Sequence, residues 1–167
     1  MKEDFINNGI NLVDSYGKDI DAVVVGFDTS LTYEKLSIAT RYIRKEVPFI
    51  ATHLDLVCPI QNGEFIPDCG AITQLIEVST GVKPKFIGKP CKETVDYLID
   101  KVKVDKEKIA IVGDRLYTDV ATGVNNGMIG IAVLTGETNL DEIKNSKIKP
   151  TYTFNDINEI YKSILNH

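Results

Sequence analysis

Short apolar runs alternate with helix-forming segments along most of this chain, and this alternation constrains its fold more than any other feature. The apolar runs lie at residues 22–27, 48–52, 109–112 and 129–134, with a shorter one at 86–87. Strands joined through a helix pair in parallel, because the helix carries the chain back to the same end of the sheet. The sequence therefore predicts an α/β fold built on parallel β-sheet.

Capping residues and one-sided apolar spacing mark the helices. Thr32 can cap a helix with apolar residues at three- and four-residue spacing, and Gly81 can end another, with Pro84 as a stop. Thr138 and Asp141 have the spacing of a capped start, and Pro90 suits the first position of a helix. The predicted helices lie at residues 1–8, after Thr32, at 70–80, from Pro90, at 118–126, from Thr138 and around 157–164.

Residues 53–68 break this pattern. They contain two prolines and the pair Asn62-Gly63 but no sustained periodicity, so we predict a long loop, and long loops in compact domains tend to be functional. A domain boundary is expected near Pro84, which divides the chain into residues 1–84 and 85–167.

Charge and cysteine content narrow the classes of protein. Nineteen basic residues face 24 acidic ones, for a net charge of −5, and no segment gathers the basic residues, so nucleic-acid binding is disfavoured. The apolar runs are far shorter than a membrane span, and the N-terminus lacks the pattern of a secretory signal. Three widely spaced cysteines indicate reduced thiols. We therefore expect a cytoplasmic protein without a membrane or nucleic-acid partner.

Two acids follow the apolar strand at 109–112. Asp114 ends the strand in Gly113-Asp114, and Asp119 lies five residues further on. Ligands of open α/β sheets bind at the carboxyl ends of strands, and two carboxylates there suit Mg²⁺. The alternative is a strand-ending turn with a helix cap, because Asp is common in such turns. Spacing alone leaves both interpretations open.

A lysine follows the strand at 86–87, in the segment Gly88-Lys89-Pro90. A cation at a helix N-terminus opposes the helix dipole unless an anion lies nearby, and a phosphate or carboxylate would supply that anion. The alternative is an exposed lysine in a turn.

His53, Asp55 and Asp68 are further candidates, at a strand end and in the loop after it. His53 could contact an anionic ligand, but a lone histidine in such a turn is more often a structural hydrogen-bonding residue, and we favour that role. Asp55 and Asp68 could equally order the loop through side-chain to backbone hydrogen bonds.

Four segments, taken in order, resemble a known family. They are VGFDTSLTY at 25–33, IATHLD at 50–55, GKP at 88–90 and GDRLYTD at 113–119, and VLTGET follows at 133–138. The chain resembles the haloacid dehalogenase superfamily and, within it, the NagD-like or p-nitrophenyl phosphatase branch, over essentially all 167 residues. The resemblance implies that residues 85–167 are the C-terminal part of a Rossmann-like core, and that residues 1–84 are most of an α/β cap, incomplete at its N-terminus.

The resemblance also implies a chemistry. Members hydrolyse phosphate monoesters of small metabolites with Mg²⁺, through an aspartyl-phosphate. Carried over onto matching positions, Asp114 is a metal ligand, Asp119 lies beside it, and Lys89 neutralises the nucleophile and the phosphate. The loop from His53 to Gly70 closes over the site and selects the substrate, with His53, Asp55 and Pro90 as substrate contacts.

One family motif is absent from this sequence. The nucleophile motif, Asp-x-Asp-x-Thr, has its closest match within residues 23–29, where Gly26 occupies the nucleophile position and Asp28 the second acid. That segment matches the cap strand of the family better, and the serine or threonine motif that holds the phosphate is missing too. We therefore expect the chain to be the end of a longer protein. The chain itself would begin inside the cap.

That expectation has structural consequences. The strand at 109–112 would have an unpaired edge, so the chain should form a homodimer, pair with the missing N-terminal segment, or be marginally stable. The alternative function is a catalytically inactive binding or interaction module of the same fold. A phospho-acceptor receiver domain is a third possibility, but the chain lacks the paired acids after a first strand.

Overall fold

The computed structural model of the chain describes residues 1–165 and divides into two compact units. The first unit runs from Met1 to Phe86, and the second begins at Ile87. Both contain helices and parallel strands, which confirms the predicted α/β class. Within the described residues, no helix combines the length and apolar character that a bilayer span requires.

The first unit contains a three-stranded parallel sheet and three helices. Its helices are α1 (Lys2–Asn7), α2 (Tyr33–Ile43) and α3 (Cys69–Thr80), and its strands are β1 (Val23–Val25), β2 (Phe49–Ala51), β3 (Val57–Pro59), β4 (Phe65–Pro67) and β5 (Lys85–Phe86). The sheet has the order β1-β2-β5, with Val23 opposite Phe49 and Ile50 opposite Lys85. The core between sheet and helices consists of Ile43, Phe49, Ile72 and Ile76, all buried.

Two helix ends of this unit form as predicted. The side chain of Thr32 accepts a hydrogen bond from the Lys35 amide at 3.2 Å, which caps α2. Helix α3 ends at Gly81, whose φ of 77° is the left-handed conformation that glycine adopts without strain.

The predicted long loop at 53–68 is wrong for its central part, which is a β-hairpin. Strands β3 and β4 pair antiparallel, with Val57 opposite Pro67 and Pro59 opposite Phe65. A single 3₁₀ turn at Gln61–Gly63 joins them, with Asn62 and Gly63 at positive φ. Each strand has three residues and includes a proline, so neither shows the alternation by which a strand is recognised.

The second unit is built on another three-stranded parallel sheet. Its helices are α4 (Lys92–Val102), α5 (Ala121–Val124), α6 (Leu140–Asn145) and α7 (Ile157–Leu165), and its strands are β6 (Ala110–Gly113), β7 (Ile129–Val133) and β8 (Tyr152–Phe154). The order β6-β7-β8 places β6 at one edge, as the resemblance predicts. Val112 in β6 is 40% exposed, although strands of parallel sheets are normally covered on both faces.

Three helix starts of this unit differ from the prediction. Helix α4 begins at Lys92 and not at Pro90, because Pro90 lies in a turn that the Cys91 amide closes on the Gly88 carbonyl. The predicted helix at 118–126 is a π-helical turn, Leu116–Val120, followed by the short α5.

Asn139, not Thr138, caps α6. Its side chain accepts hydrogen bonds from the amides of Asp141 and Glu142, and the Glu142 carboxylate accepts one from the Asn139 amide. This reciprocal pairing satisfies more of the free amides at the helix start than a threonine one residue earlier could.

Candidate active site

The lysine and the second acid singled out in the sequence meet in the second unit. Lys89 Nζ donates a hydrogen bond to Asp119 Oδ1 at 2.5 Å. The Asp119 side chain is 13% exposed, whereas that of Lys89 is 53% exposed. The lysine is therefore paired with the acid and still open to solvent on its other side.

Asp114 is held by the turn that follows β7. Its side-chain Oδ2 accepts a hydrogen bond from the Glu137 amide at 2.9 Å, and its carbonyl accepts one from the Thr138 amide at 3.0 Å. Parallel strands β6 and β7 end at the same edge of the sheet, so a turn after β7 reaches the residue after β6.

Two glycines allow both carboxylates to lie against the backbone. A Cβ atom built on Gly113 would lie 2.2 Å from Asp119 Cβ, and one built on Gly136 would lie 1.9 Å from Asp114 Oδ2. Any side chain at either position would displace an acid. Gly113 precedes Asp114, so Asp119 packs directly beside the strand end that carries Asp114.

These residues fit a divalent cation. Asp114 and Asp119 provide carboxylate oxygens, the ligands that Mg²⁺ takes in proteins, and each of the two side chains packs against a glycine. The direct contact of Lys89 with Asp119 balances part of the negative charge.

An ion pair beside Asp114 was not foreseen from the sequence. Arg115 Nε donates to Glu137 Oε2 at 2.6 Å, and the Arg115 side chain is only 15% exposed. The two residues are far apart in the chain, and neither lies in a periodic pattern. Only the adjacency of Arg115 to Asp114 and of Glu137 to Gly136 could have indicated their importance.

Pro90 lies near this group but has a structural contact of its own. It is half-buried, and its carbonyl accepts a hydrogen bond from Asn126 Nδ2 at 3.5 Å. Its predicted contact with substrate stays a prediction.

A second polar cluster lies in the first unit and contains His53, Asp55 and Asp68. Ligand atoms of the three side chains all lie within 4.8 Å of one another. His53 Nε2 is 2.8 Å from Asp68 Oδ1, and its Nδ1 is 2.9 Å from Thr52 Oγ1. Both ring nitrogens thus have partners within the protein, in agreement with a structural role for His53.

Asp68 orders the start of α3. Its Oδ1 accepts a hydrogen bond from the Cys69 amide at 2.6 Å, and its side chain is 10% exposed. This confirms the loop-ordering role that side-chain to backbone bonding predicts for Asp68. Substrate contacts of His53 and Asp55 stay predictions.

Asp28, the acid nearest to a nucleophile motif, is fully engaged in the first unit. It accepts hydrogen bonds from the Ser30 amide at 2.9 Å, from Ser30 Oγ at 2.7 Å and from Lys35 Nζ at 2.8 Å. The bonds from Lys35 and Ser30 lower the pKa of Asp28 to about 2. The structure thus gives Asp28 a local role in the turn before α2.

Comparison with known proteins identifies relatives of this chain. Residues 86–160 match a family of HAD-hydrolase-like proteins. The chain is 43% identical over 148 residues to an acid sugar phosphatase of Staphylococcus aureus, covering 89% of this chain and 57% of that protein.

Solved structures agree with this relationship. The 4-nitrophenylphosphatase of Thermotoga maritima superposes with a TM-score of 0.87 at 44% identity, covering 96% of this chain and 60% of that one. NagD of E. coli superposes with a TM-score of 0.82 at 29% identity, covering 95% of this chain and 60% of that one. These similarities support the Rossmann-like α/β fold.

The chain spans 57% of the length of the Staphylococcus aureus relative and 53% of a similar acid sugar phosphatase of Staphylococcus haemolyticus. Within that span, sequence, family match and fold agree. Residues 86–160 belong to the HAD-hydrolase-like family, and over the span that it shares with them the chain is similar to NagD and to the p-nitrophenyl phosphatases.

Proposed function

We propose that this chain contributes the metal-binding acids and the lysine of an active site that hydrolyses small phosphate monoesters with Mg²⁺. The contact of Lys89 Nζ with Asp119 Oδ1, beside the strand end that carries Asp114, is the observation on which the proposal depends. The names of its relatives, acid sugar phosphatase and 4-nitrophenylphosphatase, support small phosphate esters as the substrate class.

Charge neutralisation is the main chemical task of such a site. Phosphoryl transfer depends on positioning and on stabilising negative charge far more than on covalent catalysis. A bound Mg²⁺ polarises a phosphoryl oxygen and offsets its charge. Asp114 and Asp119 would hold that ion, because both present carboxylate oxygens beside the end of β6.

Lys89 would act on the phosphate itself. One of its ammonium protons is directed to Asp119, and the side chain remains 53% exposed, so other protons are available to an incoming phosphate. Asp119 thereby orients the lysine as well as balancing its charge, and an oriented cation stabilises the transition state at little reorganisation cost.

The aspartyl-phosphate that this branch forms requires a nucleophile that we do not assign to any residue here. Asp28 is engaged with Lys35 and Ser30, which argues against it. We propose that a segment carrying Asp-x-Asp-x-Thr pairs with the exposed edge of β6, or that a second copy of the chain covers this edge in a homodimer. We further propose a cytoplasmic location, in keeping with the free cysteines at positions 58, 69 and 91.

The second candidate function is that of a binding module, which holds Mg²⁺ or phosphate without turnover. The missing nucleophile motif favours it. The two functions share the metal site and differ only in hydrolysis.

Metal binding and hydrolysis measured together test the proposal. Mg²⁺ binding to the 167-residue chain should weaken roughly tenfold or more in Asp114→Asn, and remain unchanged in the control Asp105→Asn, where an exposed ion pair is lost. Equal Mg²⁺ binding by wild type and Asp114→Asn would refute the proposed site.

Hydrolysis of p-nitrophenyl phosphate then separates the two functions. Turnover that Asp114→Asn and Lys89→Met abolish would establish a phosphatase. Mg²⁺ binding without turnover, even after a segment with Asp-x-Asp-x-Thr is fused to the chain, would establish the binding module.

A further inference from the structure

The turn after β7 is tied to the residues after β6 by four contacts. In the first, the Asp114 carbonyl accepts a hydrogen bond from the Thr138 amide at 3.0 Å. In the second, Asp114 Oδ2 accepts one from the Glu137 amide at 2.9 Å. The third is the close packing of Gly136 against the Asp114 carboxylate. The fourth is the ion pair of Arg115 Nε with Glu137 Oε2 at 2.6 Å. Together they form a closed ring that runs from Asp114 through Arg115 and Glu137 back to Asp114.

The carboxylate of an aspartate has no strong rotational preference of its own, because the torsion about its last bond is broad. In this ring the Glu137 amide selects one rotation by donating to Oδ2, and thereby presents Oδ1 in a single direction. The orientation of the Asp114 carboxylate thus depends on the Glu137 backbone amide, which lies in a turn that contains Gly136. Such a turn needs support from elsewhere to stay in one conformation.

The Arg115–Glu137 ion pair can give that support, whereas a solvent-exposed ion pair could not. Lys108 and Asp105 are each 72% exposed, and such solvent-exposed pairs contribute little. Arg115 is 15% exposed, so its guanidinium is held in place by its surroundings and its hydrogen bond to a carboxylate is charge-assisted. Glu137, at 42% exposed, is the movable partner, and the arginine fixes it.

We infer that the Arg115–Glu137 ion pair is a positioning device that holds the Glu137 amide on Asp114 Oδ2 and so orients Asp114 toward the divalent ion. The inference rests on the proposed function, since it takes Asp114 as a metal ligand. It assigns Arg115 and Glu137 an effect on metal affinity without direct contact with the ion. Hydrogen-bonding partners of metal ligands typically change affinity by roughly 10- to 100-fold when they are lost.

The test compares Glu137→Gln with the control Asp105→Asn in the full chain. Glu137→Gln keeps the size of the side chain and the backbone amide but removes the charge that Arg115 binds. We expect the Mg²⁺ Kd, measured by calorimetry, to rise roughly tenfold in Glu137→Gln and to stay unchanged in Asp105→Asn. Without metal, Glu137→Gln should lower the thermal midpoint more than Asp105→Asn does, because Arg115 is far less exposed than Lys108, so the two Kd values are compared at a temperature where both variants are folded.

Arg115→Lys examines the same contact from the other side. Lysine keeps the positive charge but lacks the Nε–H group that donates to Glu137, so the Mg²⁺ Kd should rise here as well. Wild-type affinity in both Glu137→Gln and Arg115→Lys, with binding lost in Asp114→Asn, would overturn the positioning role and leave the proposed function standing. Wild-type affinity in Asp114→Asn would overturn both.

Discussion

Replacing Gly136 by alanine tests whether the site requires a residue without a side chain beside the Asp114 carboxylate. The added Cβ would lie 1.9 Å from Asp114 Oδ2 and 2.5 Å from Cγ. Real Cβ atoms essentially never approach another atom within 3.0 Å, so the oxygen must retreat by at least 1.1 Å, from 1.9 to 3.0 Å. That movement breaks the hydrogen bond that Oδ2 accepts from the Glu137 amide.

The change should cost both stability and metal binding. Asp114 is half-buried and its carboxylate can rotate outward, but its Cβ lies 2.7 Å from the added Cβ and must shift together with its backbone. We therefore expect the free energy of unfolding to fall by about 1–3 kcal/mol, as for other overpacked sites. The Mg²⁺ Kd should rise roughly 10- to 100-fold, because the ligand loses its orientation.

Gly123→Ala is the matched control. A Cβ there would lie 2.7 Å from Gly130 Cα and 2.8 Å from the Ile129 carbonyl oxygen, and main chain inside a sheet cannot rotate away. Overpacking of this kind costs about 1–3 kcal/mol, so Gly123→Ala should lose stability on the same scale as Gly136→Ala in urea denaturation. It should nevertheless bind Mg²⁺ with wild-type affinity in calorimetry at a temperature where both variants are folded. Wild-type Mg²⁺ affinity in Gly136→Ala, or a larger loss of affinity in Gly123→Ala, would refute the reasoning.

Three further outcomes are expected. The lowered pKa of Asp28 means that its pair with Lys35 stabilises the fold fully above about pH 4 and is lost as the pH falls toward 2. Its contribution is about 1 kcal/mol after solvent screening, and Asp28→Asn should flatten the acid limb of the pH–stability curve; identical curves would contradict this. Asn139→Ala should lower the free energy of unfolding by about 1 kcal/mol in urea denaturation, because it removes the cap of α6, and an unchanged midpoint would exclude that role. The β6 edge should make the isolated chain dimeric, domain-swapped or marginally stable, and Val112→Lys should shift light scattering toward monomer; a wild-type monomer with a high melting temperature would count against it.

Local signals in the sequence were sufficient for much of the fold. Thr32 caps the start of α2 and Gly81 ends α3, as predicted, because a helix cap depends on residues within one turn of it. Lys89 was likewise expected to need a nearby anion, and in the structure the Asp119 carboxylate is that anion. Helix caps and local charges of this kind can be recognised from the residue types at and around a position.

What could not be predicted depends on contacts between distant residues. The hairpin of β3 and β4 is specified by pairing across a turn rather than by the alternation within either strand. The Arg115–Glu137 ion pair joins a residue before β7 in the sequence to a residue after it, and no local sequence pattern connects the two. The misplaced starts of α4 and α6 reflect competition among adjacent candidates, which hydrogen-bond geometry decides.

The segments that flank the β3–β4 hairpin are joined to each other by backbone hydrogen bonds. The Asp68 amide bonds the Leu56 carbonyl at 3.0 Å, and the Gly70 amide bonds the Asp55 carbonyl at 2.8 Å. Gly70 itself packs so closely that a Cβ there would lie 2.4 Å from the Leu54 carbonyl oxygen. Because the closure is made below the hairpin, extra residues at its tip would cost only the slowly growing entropy of a longer loop. The hairpin is therefore a module that evolution or an engineer can lengthen, shorten or exchange while the sheet beneath it keeps its structure.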